Sequence, residues 1–107
     1  MLKFVALYRS PADPAEFDRH YFGEHVPLVN QTPGLVRAEI AKVTRTMVGE
    51  PAYYLLAELY FDDVDAFKAG AKSEPWVASG KNLQEWGGME LVTMFTAEVV
   101  DDAGHPA

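Results

Sequence analysis

Four segments of this chain alternate with the two-residue rhythm of a β-strand, and each carries apolar side chains in both phases. The clearest runs from Tyr53 to Phe61. Tyr53, Leu55, Ala57, Leu59 and Phe61 share one face, and Tyr54, Leu56, Glu58 and Tyr60 share the other. Lys3 to Tyr8 repeats the pattern, with Val5 and Leu7 set against Phe4, Ala6 and Tyr8. Leu35 to Thr46 and Glu90 to Val100 complete the set. Such runs read as strands. A sheet that is apolar on both sides needs both sides covered, and this narrows the fold more than any single motif.

The segments between the strands read as helices with clear starts. In Asp13-Pro14-Ala15-Glu16, Asp13 caps free N–H groups, Pro14 fits the first helical position and Glu16 completes a capping box. The helix then buries Phe17, Tyr21 and Val29 at helical spacing. Pro27 removes a hydrogen bond to the carbonyl of Gly23, which predicts a kink or break between Gly23 and Pro27. Thr32-Pro33-Gly34 closes the segment. Val48 to Ala52, with Gly49 and Pro51, is a turn. Asp62-Asp63 caps a second helix carrying Val64, Phe67 and Ala71. Ser73-Glu74-Pro75 opens a short third helix that reaches Trp86 and stops at Gly87-Gly88.

The order is therefore β-α-β-β-α-(α)-β, an α+β, ferredoxin-like βαββαβ sandwich. Both main helices cover one face of a four-stranded antiparallel sheet in a single domain spanning 1–100. The polar tail 101–107 is expected to fray. The uncovered face is best buried against a second copy, which predicts a two-fold homodimer with its sheets packed together.

Composition trims the functional classes. With no cysteine among 107 residues, a disulfide frame, a zinc–thiolate site and a cysteine nucleophile are excluded. The net charge is −7 and the nine Lys and Arg are scattered, so a nucleic-acid groove or an anionic membrane surface is not expected. No apolar stretch approaches the roughly 20 residues of a membrane span. The N-terminal residues run straight into a strand pattern, and the expected location is cytoplasmic. No nucleotide, flavin or hydrolase-triad motif is present.

The richest stretch is Phe17 to Val29. His25 shares a helical face with Tyr21, four residues before it, and with Phe22, three before. A histidine on such an aromatic face can present a neutral imidazole for acid–base work. The competing reading is a structural histidine bonded to a carbonyl freed near the kink. His20 lies about 140° from His25 around a regular helix, so the two do not form a metal pair, and no metal is expected. His20 is read as a surface residue, and His105, in the tail, receives no role. Trp76 and Trp86, in the segment beyond the minimal fold, are candidates to line a hydrophobic pocket, with Met47, Met89, Met94, Tyr54, Tyr60 and Phe95. Glu39 and Glu58 lie mid-strand and need partners, for which Arg37 and Lys42 are available.

Taken together, Phe4 to Tyr8, Phe17 through Tyr21, His25-Val26-Pro27-Leu28-Val29, Pro33-Gly34-Leu35, Ala57 to Asp62 and Val64 to Phe67 resemble the EthD domain family of the dimeric α/β-barrel superfamily. The resemblance spans most of residues 2 to 100. It implies a dimer whose paired sheets form a barrel-like core, a pocket between sheet and helices, and chemistry without a cofactor. Similar proteins are associated with xenobiotic degradation of ethers and aromatic compounds. Some relatives are isomerases, dehydratases or cofactorless monooxygenases acting on lactones, quinols or polyketides. The family histidine corresponds to His25.

Two functions follow as expectations. In the first, His25 with Tyr21 moves a proton on a small aromatic or hydrophobic carbonyl, lactone or quinol held by Phe22, Tyr60, Trp76 and Trp86. In the second, the same pocket binds a hydrophobic metabolite for a partner enzyme. A haem-degrading relative, with His25 or His20 as axial ligand, is a third.

Overall fold

The computed structural model describes residues 1–101. Strand β1 (Leu2–Arg9) leads into helix α1 (Pro14–His20), which continues through a π turn (Tyr21–His25) into the short helix α2 (Val26–Val29). Then come β2 (Leu35–Lys42), β3 (Tyr53–Phe61), α3 (Val64–Ala71), α4 (Glu74–Glu85), a 3₁₀ turn (Gly88–Glu90) and β4 (Val92–Glu98). The strands form one sheet in the order β2-β3-β1-β4, every neighbour antiparallel. This is the expected ferredoxin-like α+β fold.

Both helix starts follow the cap logic. Asp13 accepts from the Glu16 N–H at 3.2 Å, and Asp63 accepts from the Ala66 N–H at 2.8 Å. Where a kink or break is expected, between Gly23 and Pro27, the helix is disturbed but does not break. Instead the helix widens, and the Val26 N–H reaches back five residues to the Tyr21 carbonyl. The helix resumes with the Asn30 N–H on the Val26 carbonyl at 2.9 Å. A π turn absorbs a position with no N–H to give, so the chain bends its hydrogen-bond register rather than breaking.

Two strands are shorter than the alternation predicts. β2 stops at Lys42, although Val43 still donates to Tyr54 at 2.9 Å. Beyond it the link to β3 turns through Gly49 (φ +98°) and a cis Glu50–Pro51 bond, and no strand remains to pair with. β4 starts at Val92 because Gly87, at φ +86°, turns the chain into the 3₁₀ segment. The expected fraying of the tail concerns residues that, after Asp101, lie outside those described.

The helices cover the face that carries Phe4, Ala6, Tyr8, Leu55, Ala57, Leu59 and Phe61. A bulge where Tyr8 and Arg9 meet β3 turns Tyr54 to this side too, and its hydroxyl donates to Asp18 at 2.8 Å. The outer face carries Lys3, Val5 and Leu7 opposite Tyr60, Glu58 and Leu56, with Phe95 beside Val5.

Candidate functional site

The π turn sets Tyr21 and His25 on one inward face, their rings 5.2 Å apart. Tyr21 is 2% and His25 6% exposed. The His25 Nδ1 lies 3.1 Å from the carbonyl oxygen of Ser79 on α4. A carbonyl can only accept, so Nδ1 carries the proton and donates it, and Nε2 is left with its lone pair. Nε2 has no hydrogen-bond partner among the described residues. Burial lowers the pKa of His25 to about 4, against an opposing push from the Ser79 carbonyl. The ring is therefore a neutral acceptor at physiological pH.

Tyr8 stands edge-on to Tyr21, with ring centroids 5.2 Å apart. Burial pushes both phenols above their ordinary range. Both stay protonated. Facing these groups is an aromatic wall: Phe4 lies edge-on to Trp76 at 5.0 Å, and Phe67 packs on both at 5.7 Å.

Together these residues border a cavity of about 240 Å³ between the sheet and the helices. Its lining includes no Asp, Glu, Lys or Arg. An uncharged, largely apolar space with a few convergent polar atoms suits a small neutral molecule.

Of the residues singled out from sequence, the cavity brings together His25, Tyr21 and Trp76, with Met89 and Met94 on its wall. Phe22, Tyr60, Trp86, Met47, Tyr54 and Phe95 do not border it. Phe22 follows Tyr21 by one residue, which turns it about 100° away. It is 42% exposed, with the Lys42 ammonium 5.7 Å from its ring. Tyr60 sits in the outward phase of β3 under the Arg37 guanidinium, 4.5 Å from the ring centroid. Trp86 lies beyond the end of α4, where its indole N–H donates to Asn82 at 2.8 Å and its ring stacks on His20 at 5.3 Å. His20 itself bonds Glu24 through Nδ1 at 3.0 Å.

Glu39 pairs with Arg37 at 3.1 Å, and Glu58 with Lys3 at 2.6 Å, both on the outer face. Lys42, expected as a carboxylate partner in the sheet, instead binds Asp18. Among the described residues no cluster of three or more His, Cys, Asp or Glu is placed to hold a metal. No helix there is long and apolar enough to cross a membrane.

Tyr8 and Ser79 were not singled out as site residues. The inward phase it shares with Phe4 and Ala6 could have flagged Tyr8. Ser79 acts through its backbone, which no side-chain pattern reports.

A family model for the EthD domain matches residues 9–83. An uncharacterised 11.0 kDa protein from the thcB–thcC intergenic region of Rhodococcus erythropolis is 41% identical over 75 residues, covering 69% of this chain and 73% of that protein. The crystal structure of an EthD-family protein from Bacillus halodurans is 34% identical with a TM-score of 0.85, covering 92% of this chain and 97% of that one. Two more distant structures share the fold. SnoaB, a cofactor-independent oxygenase from Streptomyces nogalater, is 18% identical (TM-score 0.66, 99% and 97% covered). A dimeric ferredoxin-like protein of unknown function from Jannaschia sp. is 17% identical (TM-score 0.67, 92% and 100% covered).

Proposed function

Because this chain belongs to the EthD domain family, we propose that the cavity is the active site of a small, cofactor-independent catabolic or secondary-metabolic protein. It acts on a small aromatic or hydrophobic carbonyl, lactone or quinol, with His25 as the acid–base group. The observation that carries this reading is the imidazole itself. Its Nδ1 is fixed on Ser79, and its Nε2 lone pair is unpartnered beside a cavity free of charged side chains.

The chemistry follows from those atoms. A substrate O–H, or a C–H beside a carbonyl, gives its proton to Nε2. The charge that builds on the substrate oxygen accepts a hydrogen bond from the Tyr21 hydroxyl, which burial keeps protonated. The Ser79 carbonyl steadies the imidazolium through Nδ1. With a pKa near 4, that imidazolium is a strong acid in an apolar space and returns its proton readily. Returning it to another atom gives isomerisation, and returning it to a departing hydroxyl gives dehydration. Addition of dioxygen to a carbanion gives a peroxide anion, which takes the imidazolium proton and then loses water to leave one oxygen as a carbonyl. Acid–base work of this kind contributes about 10²–10⁴-fold.

The test is turnover. Wild-type protein is incubated with a panel of lactones, quinols and phenols, and products are read by mass spectrometry beside His25→Asn, which keeps a donor for Ser79. Product from wild type and none from a folded His25→Asn supports the proposal. Full turnover by that variant sinks it.

The low pKa of His25 favours a second reading, because an imidazole that resists protonation is a weak base. In that case the cavity stores a hydrophobic metabolite for a partner enzyme. The ligand then comes back unchanged, and Trp76→Ala weakens binding more than His25→Asn does. Haem does not fit either reading. By comparison with a 150 Å³ cavity that holds benzene, about 240 Å³ holds roughly ten non-hydrogen atoms, far fewer than a porphyrin has.

A homodimer belongs to the same reading, supported by dimeric structures of this fold. The outer sheet face offers Leu7, Leu56 and Phe95 for that contact, Phe95 being 45% exposed.

A further inference from the structure

We infer that Gly80 sets the size limit of the cavity, which takes a neutral single-ring phenol with one short substituent. The inference rests on the cavity being the ligand site, and it names the ligand class and the residue that selects it.

Trp76, Ser79, Gly80 and Leu83 all border the cavity, and their spacing places them on one face of α4. Gly80 is at one edge of that face, one residue after the carbonyl that holds His25. Nothing in the fold requires a glycine there. Its φ is not in the left-handed region, and a Cβ built on it meets no atom within 4 Å. Mid-helix glycine is also a poor helix former beside alanine. Gly70, also helical, is different, since a Cβ there would sit 2.8 Å from the Pro33 carbonyl oxygen. Gly70 is demanded by packing, whereas Gly80 leaves open space on the cavity face.

The ligand's chemistry follows from the lining. Without a charged side chain, the cavity has nothing to neutralise a carboxylate, a phosphate or an amine. Among the polar side chains that border it are an acceptor, His25 Nε2, and a donor, the Tyr21 hydroxyl. A phenolic hydroxyl can donate to the first and accept from the second. The wall of Phe4, Phe67 and Trp76 suits an aromatic ring. The volume of about 240 Å³ allows roughly ten non-hydrogen atoms, and a methyl at position 80 would remove about one.

The experiment is calorimetric titration of wild type, Gly80→Ala and Val77→Ala with phenol, para-propylphenol and para-phenylphenol. Val77→Ala is the control, on an exposed position of the same helix. Wild type should bind the first two and refuse the third. Gly80→Ala should melt at a higher temperature than wild type and still bind phenol. It should lose about tenfold or more in affinity for para-propylphenol, the penalty of one misfitted methylene or more. Val77→Ala should match wild type throughout. If Gly80→Ala binds para-propylphenol as tightly as wild type, Gly80 does not set the limit. If wild type binds none of the three, the ligand class is wrong, and His25-dependent turnover of a lactone would then leave the acid–base proposal standing without this one.

Discussion

The helix-covered face of the sheet meets its cavity without one charged side chain, while the opposite face carries two ion pairs among apolar groups. On the covered side, Tyr8, Tyr21 and His25 are neutral and almost fully buried, with His25 bonded to a backbone carbonyl. On the outer side, Lys3–Glu58 and Arg37–Glu39 flank Tyr60, with Val5 and Phe95 beside them. Burial explains the difference. A charge under the helices would lose its hydration with no room for a counter-ion, whereas the outer pairs remain partly in water. The same contrast separates two histidines on one helix. His25 is dry and neutral, and His20 lies among Glu16, Arg19 and Glu24. Uncharged polar atoms in a dry cavity are suited to a ligand, and partly solvated pairs beside exposed apolar groups are suited to a protein surface.

The largest test of this contrast is a pair of aromatic truncations. Phe17 is 3% exposed and packs on Tyr8, Tyr21, Tyr54 and Trp86. Phe17→Ala should lose about 3–5 kcal/mol of unfolding free energy in urea, at any protein concentration. Phe95→Ala should instead show a loss that changes with protein concentration, as the proposed dimer requires when a second copy covers this face. Concentration-independent behaviour in both would mean that the outer face is complete in the monomer.

Next in size is the pH response of the buried histidine. Folded His25 takes up its proton near pH 4, and the unfolded chain does so near 6.5. Between these values the unfolded state holds more protons, so stability falls as pH drops through the window. The loss should reach about 3 kcal/mol by pH 4. Acidic residues with lowered pKa add their own losses in acid, so the readout is the difference between wild type and His25→Asn in urea titrations from pH 7 to 4. Parallel curves would show that His25 is not desolvated as described.

How much of this was legible beforehand depends on which contacts are local. The strand phases, the caps at Asp13 and Asp63, and the pairing of Tyr21 with His25 involve residues four or fewer apart, so a one-dimensional pattern contains them. Strand ends do not have that property. Alternation carries past Lys42, but the paired ladder ends at Lys42 and Leu55, with Val43 alone still bonded to Tyr54. Trp76 and Trp86 looked equivalent as aromatics. Ten residues of helix, however, put the second about 15 Å farther along, against His20 rather than the cavity. Tyr8, Ser79 and Gly80 reach the site from β1 and α4, and only the tertiary packing of these elements on the π turn brings them to His25. The π turn shows the same thing. Pro27 announced a disturbance, but whether the helix breaks or widens depends on what packs beneath it.

The third test asks how closely the covered side is packed. Gly70 of α3 sits where an added Cβ would be 2.8 Å from the Pro33 carbonyl oxygen and 3.2 Å from the Phe61 ring. Backbone cannot yield as a flexible side chain can. Gly70→Ala should therefore cost about 1–3 kcal/mol despite alanine's better helix propensity. A neutral or stabilising result would mean that α3 can lift from the sheet freely, and the covered side would then not be the rigid half of the comparison.

The smallest effect belongs to the outer ion pair. Lys3 and Glu58 are 2.6 Å apart, with side chains 30% and 23% exposed. Hydrogen bonding to Glu58 raises the lysine pKa, against the opposing effect of burial. Partly solvated pairs of this kind contribute about 0–1 kcal/mol, so Glu58→Gln in dilute protein at low salt should change stability by no more than that. The change should vanish near 1 M salt, where the screening length is about 3 Å. In concentrated protein the same substitution has a different consequence. If a second copy covers the pair, its charges lose their water, and leaving Lys3 unpaired there becomes costly, by about 3–5 kcal/mol in a fully buried setting. Sedimentation of wild type and Glu58→Gln over a concentration series separates the two cases. A dimer weakened by the substitution puts the pair inside the interface, and an unchanged dimer puts the contact elsewhere on the sheet.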